Sequence, residues 1–316
     1  MTTEPIADYT EQMRACAEAI DLHPPAIVLP TDHFVQLGKM RFHYLDWGNP
    51  HLPHLIMVHG GGLTAHTWDM ASLLLRDHYH LVAFDLRGHG LSDWMDEDDL
   101  KHDLTDMMSG DVFRFLEFLN YDRVSLTGMS FGGVASMRYA AQHPERVHAL
   151  ILVDVGPESM REFSNSTQQF HRETDVLERF DDFLDRAARF NPTRRREHLQ
   201  YSLLHSLKQT PEGWTWRQDP RPRDNGALVA EADRVARSEA RAEELWGTVK
   251  QVTAPTLVLR GEHTKNLAAD VAEKMTEVMP NARLITVPEA SSYIPGDKPK
   301  VFAHEVHEFL SGLPSA

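Results

Sequence analysis

The chain has 316 residues, enough for one large domain or for a core carrying an inserted second unit. Hydrophobic residues at 41% and charged residues at 25% exclude a disordered or fibrous chain. A formal charge of −15 repels nucleic acid and anionic membrane surfaces. The expected partner is therefore a small-molecule substrate, with no nucleic acid and no membrane, and a second copy of the chain in a homodimer is kept as a candidate. Cys16 alone cannot form an intramolecular disulfide. The start MTTEPIADYTEQMRACAEAI lacks the basic and apolar regions of a secretory signal, so a cytoplasmic location is expected. No apolar run approaches the roughly 18 residues of a membrane span.

Residues 1–30 read as a polar, helix-prone leader that ends in His23-Pro-Pro, there for packing or disordered. Short apolar runs follow: HFVQL and RFHYLDWG, close enough for a hairpin, then HLIMVHG at 54–60 and HLVAFDLRG at 80–88. Strand and helix then alternate, with a helix near 101–119, a strand at 123–130, a helix from Gly132 to His143 and a strand at 148–155. The alternation resumes with a strand at 255–261, a helix at 267–279, a strand at 282–288 and a last helix from Pro299 to Leu310. This spacing predicts an α/β fold, a mostly parallel eight-stranded sheet with helices on both faces. Between 156 and 247 the strand signal disappears and charged segments of helical period take over, which predicts an inserted helical cap. Inside it, TPEGWTWRQDPRPRD reads as a loop or short hairpin. The core is then 31–155 with 248–316, and the cap 156–247.

The strongest chemical signal is Gly128-Met129-Ser130-Phe131-Gly132, a G-x-S-x-G pattern between an apolar strand and a helix. Small residues flank Ser130 because the strand must reverse into the helix through a tight, strained turn that lifts the hydroxyl clear of the sheet. The Phe131 N–H would face a developing oxyanion. The competing reading is a strand-to-helix turn that merely favours Gly and Ser. His59-Gly60-Gly61-Gly62, followed by Trp68, is the second signal: consecutive glycines let backbone N–H groups approach a ligand, and Gly61 is the candidate second oxyanion donor. Gly60, Gly62 and Ala65 also fit a relaxed G-x-G-x-x-A dinucleotide pattern, with Asp85 as the ribose-binding acid. Against it, a hairpin precedes the glycines and a nucleophile elbow follows. Nineteen histidines raise the question of a metal, but neither H-E-x-x-H nor C-x-x-C spacing occurs, and no metal is expected.

With these motifs in this order, together with FDLRGHGLSDW at 84–94, LVDVGPE at 152–158 and a closing PTLVLRG…ARLITVP…KP pattern, the chain resembles the α/β-hydrolase superfamily over about 31–316. The likeness is to its esterase, lipase and carbon-carbon-bond hydrolase branch. The resemblance implies no cofactor and no metal, and makes Asp85, Arg87 and His89 structural braces. It also implies a histidine and an acid that are missing where they are expected. The acid position holds Thr264 or Lys265, and the histidine position, set by Pro299, holds Ser292.

A serine hydroxyl is a weak nucleophile until a base takes its proton. Asp154 lies where some members of the superfamily keep the acid, and His263 is the nearest candidate base in sequence. His66 is a candidate for binding or proton transfer, and Gly62, Trp68 and Met129 for substrate contact; Phe131, Trp214 and Trp216 are candidate apolar lining. Each aromatic serves equally well as plain core. Three functions follow. The first is a hydrolase of an ester, lactone or other activated carbonyl through Ser130 with a degenerate triad. The second is a lyase, cyclase or isomerase that uses the oxyanion donors without an acyl-enzyme, and the third is a ligand-binding protein.

Overall fold

A computed structural model describes residues 8–158, 176–192, 194–222 and 231–314. The main sheet comprises β1 (Thr31–Leu37), β2 (Met40–Asp46), β3 (His54–Val58), β4 (His80–Phe84), β5 (Val124–Met129), β6 (Val147–Val153), β10 (Thr256–Gly261) and β11 (Ala282–Val287). Their order is β1-β2-β4-β3-β5-β6-β10-β11. The first two form the expected hairpin, β2 meets β4 antiparallel, and the remaining pairs are parallel.

Strands β3, β4 and β6 carry unbroken apolar runs because both of their faces are covered. Side chains alternate across a strand, so Leu55 and Met57 of β3 enter one core while Ile56 and Val58 enter the other. The same division places Leu81 and Ala83 opposite Val82 and Phe84 on β4. One face carries α3 (Leu104–Leu119), α4 (Phe131–Gln142), α7 (Glu231–Val249) and α8 (Ala269–Val278); α2 (Asp69–Leu75) and α9 (Pro299–Ser311) cover the other. The first helix, α1 (Tyr9–Ala19), buries Met13, Cys16 and Ala17 in that second core, so the described part of the leader is packing.

Helix α3 ends on Asn120, whose φ of 51° is left-handed. Glycine adopts that conformation without a Cβ penalty. Asn120→Gly is expected to stabilise the fold by a few tenths of a kcal/mol to about 1 kcal/mol, read as a higher urea midpoint with unchanged slope.

Between β6 and β10 lie α5 (Phe180–Phe190), α6 (Arg196–Ser206) and α7, but the segment is not purely helical. Strands β7 (Val176–Leu177), β8 (Leu207–Thr210) and β9 (Gly213–Trp216) form a three-stranded antiparallel sheet. The hairpin expected around Trp214 is present, and Trp216 packs edge-on against Phe183 in a small third core. Strands of two to four residues are too short for a period to show in the sequence. The helical expectation for 161–175 lies outside the described residues. Among the described residues no helix is long and apolar enough to cross a membrane.

Candidate active site

Strand β5 runs into α4 through Ser130, which takes φ 50° and ψ −120°, a conformation that costs a non-glycine residue about 1–3 kcal/mol. The neighbouring glycines make the turn sterically feasible. A Cβ on Gly128 would lie 2.4 Å from the Gly132 carbonyl oxygen, and one on Gly132 would lie 2.2 Å from that of Val58.

The loop after β3 leans on this elbow: a Cβ on Gly60 would sit 2.9 Å from that of Ser130, and one on Gly61 would sit 3.0 Å from the Phe131 ring. Buried His59 fixes the loop by donating from Nδ1 to the Gly60 carbonyl at 2.7 Å and accepting the Leu86 N–H on Nε2 at 3.1 Å. The Gly62 N–H donates to His89 Nε2 at 3.1 Å, Leu63 N–H to the Gly60 carbonyl at 3.3 Å, and Ala65 N–H to Asp85 Oδ1 at 2.6 Å. Gly61 N–H has no such acceptor among the described residues. Phe131 opens α4, where N–H groups lack intrahelical partners. These are the two donors the sequence singled out.

Asp85 and its neighbours brace this loop. Burial pushes the Asp85 carboxyl up, but hydrogen bonding from His43 and that imidazole's charge overcome it and hold the carboxyl down at about 2. Arg87 pairs with Asp111 through Nε and Nη2, at 2.5 and 2.8 Å. The position at which a ribose-binding acid would act is thus occupied by internal bonds.

At the carboxyl end of β6, Asp154 also takes a positive φ of 49° and is 1% exposed. Its Oδ2 accepts the Thr264 hydroxyl at 2.6 Å and its Oδ1 the Gly261 N–H at 3.3 Å, while its carbonyl accepts from Asn266 Nδ2 at 2.6 Å. Burial pushes the carboxyl up to about 6, against the Thr264 hydroxyl, the Gly261 N–H and the Ser292 hydroxyl, which pull it down. Thr264 Oγ1 in turn lies 2.9 Å from Ser292 Oγ and accepts the Asn266 N–H at 2.9 Å. With the Thr264 proton on Asp154, the Ser292 hydroxyl points its own proton at Thr264 Oγ1 and the Asp154 carboxylate behind it. Its lone pairs then remain for the cavity.

That cavity, about 420 Å³, is lined by Ser130, Met129, Asp154, Ser292 and the Gly60–Leu63 loop, with His263 and Lys265 at the same rim. Two substituted triad positions and the candidate acid therefore line the same cavity as Ser130. His263 lines this cavity from an exposed position: its side chain is 66% exposed, and its ring lies 3.9 Å from Glu262. Trp68 is fully buried against Phe302 and does not line the cavity, and neither does Trp214, whereas Trp216 does. His66 lines a different cavity. Unforeseen wall residues include Arg194, which bonds Asp297 at 2.7 Å and lies over the Tyr293 ring, and Leu199, Ser202 and Leu203 of α6. No local pattern marks them, because the fold alone brings α6 over Ser130.

A family model described as alpha/beta hydrolase fold matches residues 53–299. The chain is 30% identical over 245 residues to the esterase Rv0045c of Mycobacterium tuberculosis, covering 74% of this chain and 73% of that one. It is 23% identical to the 2-(acetamidomethylene)succinate hydrolase of Mesorhizobium japonicum, covering 89% and 97%. A solved structure of the Rv0045c esterase superposes with a TM-score of 0.76 at 25% identity over 98% of this chain and 100% of that one. A structure of E-2-(acetamidomethylene)succinate hydrolase gives 0.77 at 19% identity, covering 89% and 99%.

Proposed function

Since the chain belongs to the α/β-hydrolase fold family, we propose that it hydrolyses an ester, lactone or similarly activated carbonyl compound with Ser130 as nucleophile. The observation that carries this reading is the strained Ser130 turn, facing the same cavity as the Gly60–Leu63 loop. Ser130 Oγ attacks the carbonyl carbon, and the N–H groups of Gly61 and Phe131 receive the oxyanion. The proton passes through one water in the shared cavity to Ser292 as Ser292 passes its own to Thr264 and Thr264 passes its own to Asp154. A carboxylate held near 6 is ionised at neutral pH and serves as the terminal acceptor. Collapse of the intermediate expels the alcohol, which takes the proton back along the same chain; water then releases the acid. Hydroxyls replace an imidazole in this relay, so turnover is slow. Loss of the histidine in serine hydrolases costs about 10⁶ in kcat, and roughly 10³ to 10⁴ over water survives in the oxyanion hole and binding.

The test is steady-state hydrolysis of p-nitrophenyl acetate and butyrate. Turnover is expected above a Ser130→Ala blank, rising as the pH passes about 6. Equal rates for the two proteins would remove Ser130 from the chemistry.

One observation favours a second reading, a lyase, cyclase or isomerase on the same scaffold. Among the described residues lining the Ser130 cavity, the only imidazole is that of exposed His263. Labelling of Ser130 by a fluorophosphonate separates the two, since only the hydrolase needs a nucleophilic serine.

A further inference from the structure

We propose that His66, Asp69 and His205 bind a divalent transition-metal ion of the zinc type, at a site separate from the Ser130 cavity. His66 lies in the 3-10 turn Ala65–Trp68, Asp69 opens α2, and His205 comes from the far end of α6. One ligand atom from each lies within 4.8 Å of the others. Donors about 2.0–2.2 Å from a tetrahedral zinc stand roughly 3.3 Å apart, so the three close on an ion by side-chain movements of roughly 1.5 Å or less.

Two independent features point to a missing ligand. His205 is nine-tenths buried with Nε2 unpartnered, and fully buried Asp69 has Oδ1 unpartnered. Each orphan of this kind costs about 1–3 kcal/mol. The other atoms of the cluster are engaged: Asp69 Oδ2 accepts from His66 Nδ1 at 2.7 Å and from the Tyr201 hydroxyl at 2.5 Å. The Tyr201 hydroxyl orients the carboxylate as a second-layer contact orients a metal ligand, and His66, which donates from Nδ1, keeps Nε2 for the ion. His66 and His205 stack with centroids 3.5 Å apart and both line a cavity of about 260 Å³, which leaves room for a water as fourth ligand. Two imidazoles with one carboxylate suit zinc, nickel, cobalt or copper and not magnesium or calcium, which take oxygen ligands. Arg217 lines the same cavity and buried His43 carries charge against Asp32 and Asp85, both of which disfavour a cation there; the three carboxylates of Asp69, Asp32 and Asp85 outnumber these two.

Sequence spacing could not find this site. His66 and Asp69 are three apart, but the third ligand lies 139 residues from His66, in the insertion. The ion would tie α6 to the start of α2. Since Leu199, Ser202 and Leu203 of α6 wall the Ser130 cavity, metal binding fixes that wall.

The test titrates the chelator-treated full chain with Zn²⁺ by calorimetry and with Co²⁺ by visible absorption. Expected are one ion per chain, the intense d–d band of a low-coordinate cobalt site and a raised thermal midpoint. His205→Gln and His66→Gln should each weaken Zn²⁺ more than about tenfold, with metal-free circular dichroism and midpoint matching the parent. His307→Gln, which removes a ring from the His78 and Tyr79 cluster, should leave binding unchanged. Substoichiometric binding, or affinity that survives both the His66 and His205 substitutions, overturns the proposal. Should either variant fail to fold, the cobalt spectrum of the parent still decides: an octahedral, weak-band spectrum counts against the site.

Discussion

Replacing Ser292 by histidine is expected to raise kcat/KM for p-nitrophenyl butyrate by about 10² or more, the ordinary yield of a positioned general base. The place is prepared for an imidazole. Ser292 Oγ lies 2.9 Å from Thr264 Oγ1, which lies 2.6 Å from Asp154 Oδ2, so a buried carboxylate stands one hydroxyl away from position 292. The full factor of about 10⁶ associated with a triad histidine is not expected from this single change. Thr264 already occupies the carboxylate oxygen that should orient the ring. Ser292→His with Thr264→Ala opens direct contact between imidazole and Asp154 and is expected to exceed the single variant. Both are measured beside Ser130→Ala/Ser292→His, which must stay at the blank. No gain in either variant, with the fold intact, would show that Ser130 is not placed to use a base from this end of the sheet.

The sheet is readable because burial on both faces leaves a local trace: strands such as β4 are buried at every position and carry an unbroken apolar run from Leu81 to Phe84, and the Pro- or Gly-marked turns separate them. The elbow was readable for a similar reason. Only glycine fits where a Cβ would strike the Gly132 or Val58 carbonyl, so steric demand is written into positions 128 and 132. What remained hidden depends on distant contacts. The resemblance puts the missing acid at Thr264 or Lys265, yet Thr264 bridges Asp154 to Ser292, a role visible only once β6 and β10 lie side by side. The sequence ordering placed His263 near the acid loop but could not tell that its side chain turns to solvent. Helix α6 falls inside the expected helical cap, but its own residues carry no marker, because its buried positions, His198, Leu199, Tyr201, Leu203 and His205, face several different surfaces and leave no single apolar stripe.

Asp154→Asn is expected to make the protein more stable at pH 7.5 by about 1–3 kcal/mol while it lowers ester turnover. A carboxyl near 3.8 in the unfolded chain and about 6 in the fold favours folding only when protonated. Its stabilising effect is complete below about pH 4, is lost as the pH rises toward 6, and leaves a penalty of about 3 kcal/mol above that. Asparagine removes the buried charge and keeps the bonds: its carbonyl accepts the Gly261 N–H, and its amide donates to Thr264, whose hydroxyl then turns to Ser292. Denaturant unfolding of the two proteins between pH 4 and pH 8 checks this, with the curves converging at the acid end, separating between about pH 4 and pH 6, and running parallel above that. An asparagine variant that is less stable at pH 7.5 would mean that the ionised Asp154 is favourably solvated in the fold. The wild-type chain would then carry no energetic strain there, whereas a strained, ionised carboxylate behind two hydroxyls is what a base-driven reaction at Ser130 requires.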